Sequence, residues 1–157
     1  MNLLILHGPN LNLLGEREPE VYGTMTLRQL DAKLRKHAGR RAKLKIFQSN
    51  HEGVLIDLIH RHRKWAGGLV FNPGAYSHYS YALRDAVAGS QIPTVEVHLS
   101  DIMRREAFRG KCVIAPVCLR QISGKGVGSY LEGMDFLLRP GPGRGAKRPG
   151  AGAAAGP

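Results

Sequence analysis

Apolar runs and apolar stripes alternate along this chain. Leu3, Leu4, Ile5 and Leu6 form an uninterrupted run, short enough to be a strand buried on both faces. Gly8-Pro9-Asn10 stops it, because proline removes a ladder donor and glycine relaxes the backbone. Over residues 26–38 the spacing becomes helical. Leu27, Leu30 and Leu34 share one face, Thr26 and Gln29 have capping-box spacing, and Gly39 stands where a helix stops. Residues 43–48 alternate as a second strand. Ser49 and Glu52 repeat the capping-box spacing and predict a helix to about Lys64, with Leu55, Leu58, Ile59 and His62 inward. Residues 68–71 read as a third strand, ended by Asn72-Pro73-Gly74. Ser77 is then the expected cap of a helix to about Ala88 that buries Ala82, Leu83, Ala86 and Val87. Residues 93–98 and 112–115 are the expected fourth and fifth strands, and residues 128–138 the closing helix.

Strands alternating with helices through short connections predict a parallel sheet covered on both faces. With five strands the economical arrangement is α/β and flavodoxin-like, a doubly wound sheet in the order 2-1-3-4-5. Ligands of such sheets lie beyond the carboxyl ends of the strands, near the switch between strands one and three. Asn10 follows strand one, Asn72 and His78 follow strand three, and His98 and Ser100 end strand four. Polar groups suited to chemistry therefore gather at one sheet edge.

Composition sets the outer limits. The chain has 157 residues, and those after Arg139 carry no apolar side chain larger than alanine or proline. Such a segment buries too little surface to offset its ordering entropy. One catalytic domain over 1–139 and a disordered basic Gly/Pro/Ala-rich tail over 140–157 are expected. The formal charge is +11, of which Arg144, Lys147 and Arg148 in the tail supply three. The remaining basic residues are scattered, without the aromatic-interleaved stripe of a nucleic-acid surface; a solvated cationic surface is the simpler reading, and its field suits small anions. Cys112 and Cys118 lack zinc-site spacing and are too few for a disulfide framework, which points to buried free thiols in a reducing, cytoplasmic setting. No stretch reaches bilayer length, so no membrane partner is expected.

Individual residues leave two readings open. Asn10 and Asn72 each suit a tight turn as well as a ligand site. Glu96 and His98, two apart on a strand, project to one face, where the acid can orient the imidazole and hold it protonated or in one tautomer. Arg17 and Tyr22 occupy the long loop after strand one. An arginine neighbour favours phenolate, yet the same charges also suit a solvated loop. Arg105 and Arg109, four apart, form either an anion clamp or a solvated face. His60 and His62 point two ways from a helix and do not make a metal pair. The glycine run 124–129 lacks phosphate-loop spacing.

Five motifs, in order, resemble the type II 3-dehydroquinate dehydratases. They are His-Gly-Pro-Asn-Leu-Asn-Leu-Leu-Gly from position 7, Arg-Glu-Pro-Glu-Val-Tyr-Gly from 17 and Gln-Ser-Asn-His-Glu-Gly from 48. Asn-Pro-Gly-Ala-Tyr-Ser-His from 72 and Glu-Val-His-Leu-Ser from 96 complete the set. The resemblance covers residues 2–138. It implies an anti elimination of water from 3-dehydroquinate through an enolate, giving 3-dehydroshikimate, with no metal, cofactor or covalent intermediate. It assigns Tyr22 as base, with Arg17 on a mobile loop lowering its pKa. Asn10 would help stabilise the enolate oxygen, and His98, oriented by Glu96, would be the general acid. Asn72, His78 and Arg109 would bind ring hydroxyls, Ser100 and the amide of Leu99 the carboxylate, and Asp85 would reach a neighbouring subunit's site. It further implies a homo-oligomer, trimers assembled into a dodecamer, with no nucleic-acid partner.

Arg120 stands where the family usually has a small residue, and Lys125 where it is commonly apolar. Both lie outside the motifs. Two other readings of the chain remain: a flavodoxin-like binder of nucleic acid or phosphates, and the same dehydration through an imine on lysine.

Overall fold

The computed structural model describes residues 1–16 and 18–139, without the side chains of Pro19 and Tyr22. Arg17, the tail 140–157 and the Tyr22 side chain therefore lie outside the described residues. Five strands form one parallel sheet: β1 (Asn2–His7), β2 (Lys43–Gln48), β3 (Gly68–Asn72), β4 (Thr94–Val97) and β5 (Arg120–Ile122). Their order is β2-β1-β3-β4-β5, as the sequence predicts for a flavodoxin-like sheet. The helices are α1 (Pro19–Tyr22), α2 (Leu27–Ala38), α3 (Glu52–His62), α4 (Tyr81–Ser90) and α5 (Val127–Leu138).

The two sheet faces carry separate cores because side chains alternate along a strand. Leu3 and Ile5 of β1 pack with Val70, Val95 and Val97 under α2 and α5. Leu4 and Leu6 pack with Leu69 and Phe71 under α3 and α4. The four apolar residues of β1 are fully buried, each stabilising the fold by about 2 kcal/mol relative to an exposed position. α2 starts as its sequence predicts: Thr26 Oγ1 accepts from the Gln29 amide while the Gln29 side chain accepts from the Thr26 amide.

Five sequence expectations are corrected. The fifth strand is Arg120–Ile122, not 112–115. Val113 and Ile114 are buried with the α3/α4 core, but Pro116 follows and the chain turns as a 3-10 helix at Ala115–Val117. The true strand is an edge with only Ile122 buried, so it has no apolar run to betray it. α3 has no capping box: Ser49 Oγ accepts from the His51 amide, and the Glu52 carboxylate takes the Ser80 hydroxyl instead. The cap of α4 is Ser80, whose hydroxyl accepts from Leu83, while Ser77 ends up facing Glu96. With that later start the inner stripe is Leu83, Ala86, Val87 and Ser90, and Ala82 is exposed. Cys112 and Cys118 are free but only half-buried.

Arg120 and Lys125 meet on one partner. Both ion-pair with Glu132 of α5, Arg120 at 3.1 Å, and the Arg120 guanidinium also lies over the Phe136 ring. Among the described residues no helix is long and apolar enough to cross a membrane.

Candidate active site

The carboxyl ends of β1, β3 and β4 open onto a cavity. Its walls include Asn10, Asn72, His78, His98, Leu99, Ser100 and Arg109, seven of the residues singled out in the sequence. Leu14, Ile102 and Arg105 add two apolar contacts and a second cation. Arg105 was weighed with Arg109 as a clamp, and the two do share this cavity. Asp85 is exposed on α4 and does not line it.

Backbone close packing shapes the floor. The Gly8 amide donates to the Asn72 carbonyl at 2.7 Å, and a Cβ at Gly8 would stand 2.6 Å from the Pro73 backbone. Only glycine lets the ends of β1 and β3 approach so closely. Asn10 then takes a left-handed conformation, φ 67°, which asparagine tolerates better than most residues. Its amide donates to Asn50 Oδ1, and Gln48 Nε2 donates to the same oxygen and to the Gly8 carbonyl. The 48–53 motif thus braces the 7–15 motif. Asn72 is a turn residue as well, its Oδ1 accepting from the Gly74 amide. For both asparagines the turn role and the cavity position coincide. Leu99 and Ser100 are tied down by the glycine run, whose Gly126 and Gly124 amides donate to their carbonyls.

Behind His98 lies Glu96, with no exposed surface. Three donors converge on its Oε1: His98 Nε2 at 2.6 Å, Gln121 Nε2 at 3.1 Å and the Ser77 hydroxyl. Since Nε2–H is committed to the carboxylate, Nδ1 is the nitrogen of His98 left to gain or lose a proton. Oε2 of Glu96 is buried and without a hydrogen-bond partner among the described groups. Ser77 and Gln121 were not foreseen; their distance along the chain gave no signal.

His78 is fixed by a bond from Nδ1 to the Lys111 carbonyl at 2.8 Å and an edge contact with Phe108. Burial, the largest cause, lowers its pKa, with His98 and Arg109 adding to the effect; the Lys111 bond and Glu96 oppose it. Arg109 Nε donates to Glu106 at 2.6 Å, and that bond above all holds the Glu106 carboxyl down at about 2. The donor atoms of Glu96, His98 and Cys112 fall within 4.8 Å of one another, the one group among the described residues able to hold a metal. Two of its three members are already joined by a proton, an arrangement suited to acid–base work as it stands.

A parallel sheet with a buried carboxylate–imidazole pair and two arginines around a cavity beyond its strand ends is the framework of an α/β enzyme acting on a small molecule. Comparison with known proteins specifies which: the chain belongs to the class II dehydroquinase family, whose match runs over residues 1–138. The 3-dehydroquinate dehydratase of Pelotomaculum thermopropionicum is 56% identical over 132 residues, 83% of this chain and 92% of that protein. That of Trichodesmium erythraeum is 54% identical over 138 residues, 87% of this chain and 92% of that protein. Among solved structures, the type II dehydroquinase of Butyrivibrio crossotus superposes with TM-score 0.86 at 42% identity, over 88% of this chain and 98% of that one. That of Propionibacterium acnes gives 0.84 at 35%, over 87% and 95%.

Proposed function

We propose that this chain dehydrates 3-dehydroquinate to 3-dehydroshikimate by anti elimination through an enolate, in shikimate or quinate metabolism. The observation that carries the reading is the Glu96–His98 pair at the cavity, with Nδ1 of His98 left for proton transfer. Tyr22, as phenolate, takes the proton from the carbon alpha to the ketone, with Arg17 stabilising the phenolate. The electron pair moves onto the ketone oxygen, and Asn10 helps hold the donors that stabilise that enolate oxygen. Collapse of the enolate breaks the carbon–oxygen bond, and His98 delivers a proton so that the hydroxyl leaves as water.

Asn72, His78 and Arg109 bind the ring hydroxyls, while Ser100 and the Leu99 amide take the carboxylate. Asp85, exposed on α4, serves a neighbouring subunit's site in a dodecamer built from trimers. The half-buried free thiols fit a reducing, cytoplasmic setting. The test is the rise in absorbance of the conjugated enone when 3-dehydroquinate is added. Turnover that disappears in Tyr22→Phe and in His98→Ala is expected. No turnover by the unaltered protein overturns the reading, and trapping by borohydride with substrate replaces the enolate route by a lysine imine.

A further inference from the structure

Where His98 lines the cavity, three side chains of different chemistry converge. One donor atom each from Glu96, His98 and Cys112 falls within 4.8 Å of the other two. Glu96 and His98 form the acid–base pair, but Cys112 has no part in the reaction proposed above. Its thiol is half-buried, with Sγ 3.8 Å from His78 Nδ1 and 3.8 Å from the Arg109 carbonyl. Both contacts are long, and a thiol is a weak donor, so little is lost when its proton leaves.

The Glu96 carboxylate is unevenly used. Oε1 accepts from His98, Gln121 and the Ser77 hydroxyl, whereas Oε2 is buried with no hydrogen-bond partner among the described groups. A buried oxygen left in that state gains from a cation. Thiolate, imidazole and carboxylate together make the donor set of a borderline-soft divalent ion, zinc above all, rather than of magnesium or calcium. Zinc lies about 2.1 Å from nitrogen or oxygen and about 2.3 Å from sulfur, which sets tetrahedral ligand atoms about 3.5 Å apart. The spacing found, 4.8 Å at most, closes to that by small side-chain rotations. The 2.6 Å contact of His98 with Glu96 opens instead, because an ion ligated by both takes the place of the proton between them. Charge balances as well. Carboxylate and thiolate cancel the charge of the ion, so no net charge is buried. The two arginines of the cavity are themselves paired with Glu106, Arg109 at 2.6 Å and Arg105 at 3.6 Å.

We propose that Glu96, His98 and Cys112 form an inhibitory site for one zinc ion, held by Glu96 Oε2, a ring nitrogen of His98 and the Cys112 thiolate, with the fourth position left to water. Binding releases two protons, one from the thiol and one from the His98–Glu96 pair. An imidazole tied to the ion no longer passes between the protonated and neutral forms that acid–base work requires. The inhibition rests on the proposed reaction; the binding does not.

Experiments on the full-length protein separate the two. Cobalt(II) in place of zinc should give, at one ion per chain, the intense near-ultraviolet band of sulfur bound to the metal. That band should be absent from Cys112→Ser and retained in Cys118→Ser, which removes the other free thiol. Zinc, competed with a chromophoric chelator, should bind about 100-fold more weakly to Cys112→Ser and to His98→Gln than to the unaltered protein. In turnover of 3-dehydroquinate, zinc should inhibit and magnesium should not. Cys112→Ser should keep kcat and KM within about twofold and lose the inhibition, since its thiol takes no part in the proposed chemistry. A cobalt band that persists in Cys112→Ser, or equal zinc affinity with and without the thiol, would overturn the site. So would an affinity unchanged in His98→Gln, because the thiol would then bind without the pair, and so would equal inhibition by zinc and magnesium. If Cys112→Ser does not fold, Cys112→Ala takes its place with the same outcomes. Failure of the unaltered protein to turn over 3-dehydroquinate would count against the proposed reaction, and the cobalt band would still decide the site.

Discussion

The rings of His78 and His98 lie nearly parallel, 6.4 Å between centroids and 17° between planes. Two imidazoles so placed do not both charge readily. The burden falls on His78, whose pKa is lowered by burial first and by His98 and Arg109 after it. Below its ordinary value of about 6.5 the unfolded chain binds this proton more readily than the folded one. The stability His78 contributes is therefore present above about pH 6.5 and is lost as pH falls toward the folded value. Denaturation midpoints should drop between pH 7.5 and 5, and His78→Gln should flatten that slope. An unchanged slope in the variant would assign the acid sensitivity elsewhere.

Glu96→Gln keeps the volume of the side chain and removes the charge facing His98. On the proposed reaction, turnover of 3-dehydroquinate should fall about 100-fold, with KM little changed, since an interaction with the proposed acid is lost rather than one with the substrate. Steady-state kinetics separate these. A rise in KM at constant kcat would place Glu96 in binding instead.

Gly8→Ala puts a methyl group 2.6 Å from both the carbon and the oxygen of the Pro73 carbonyl and 2.8 Å from the Asn72 carbonyl oxygen. Overpacking of this kind costs about 2 kcal/mol, read as a lower urea midpoint. Because the same contact holds Asn72 and Asn10 at the cavity, kcat/KM should fall in the same variant. Normal kinetics would mean that the strand ends move without disturbing the site.

Thr26→Ala offers the contrast. It removes a capping box at the start of α2 and should destabilise by about 1 kcal/mol, with both kinetic constants unchanged because Thr26 does not line the cavity. Deletion of residues 140–157, by the composition argument, should leave kcat and KM within about twofold. A larger loss on deletion would give the basic tail a part in turnover.

How far the sequence carried these conclusions depended on chain distance and on apolar content. β1 and α2 were legible because their patterns are local and strong: four buried residues in a row, and a stripe closed by reciprocal caps. The order of strands followed from alternation with helices. β5 was not legible, since an edge strand with Ile122 as its one buried residue carries almost no hydrophobic signal, while the apolar 112–115 segment imitates a strand and packs as irregular core. Ser77 and Ser80 both fit a cap, and only the competing bond to Glu96 separates them. In the site, the i, i+2 pairing of Glu96 with His98 was readable from alternation. The partners that fix it, Ser77 and Gln121, and the contact of His7 with Tyr130 across 123 positions, exist only once the sheet has assembled.

The alternation of side chains at the sheet edge divides the site between two layers. Asn72 and His7 project toward α2 and α5, whereas Glu96 and Ser77 meet on the α3/α4 side. The turn that holds Asn72 and the pair of Glu96 with His98 are thus supported by separate cores, with the sheet as the partition between them. On the proposed reaction, repacking the α2/α5 layer should disturb Asn72 while leaving the Glu96–His98 pair in place. The molecule is in that sense two instruments mounted back to back on one plate.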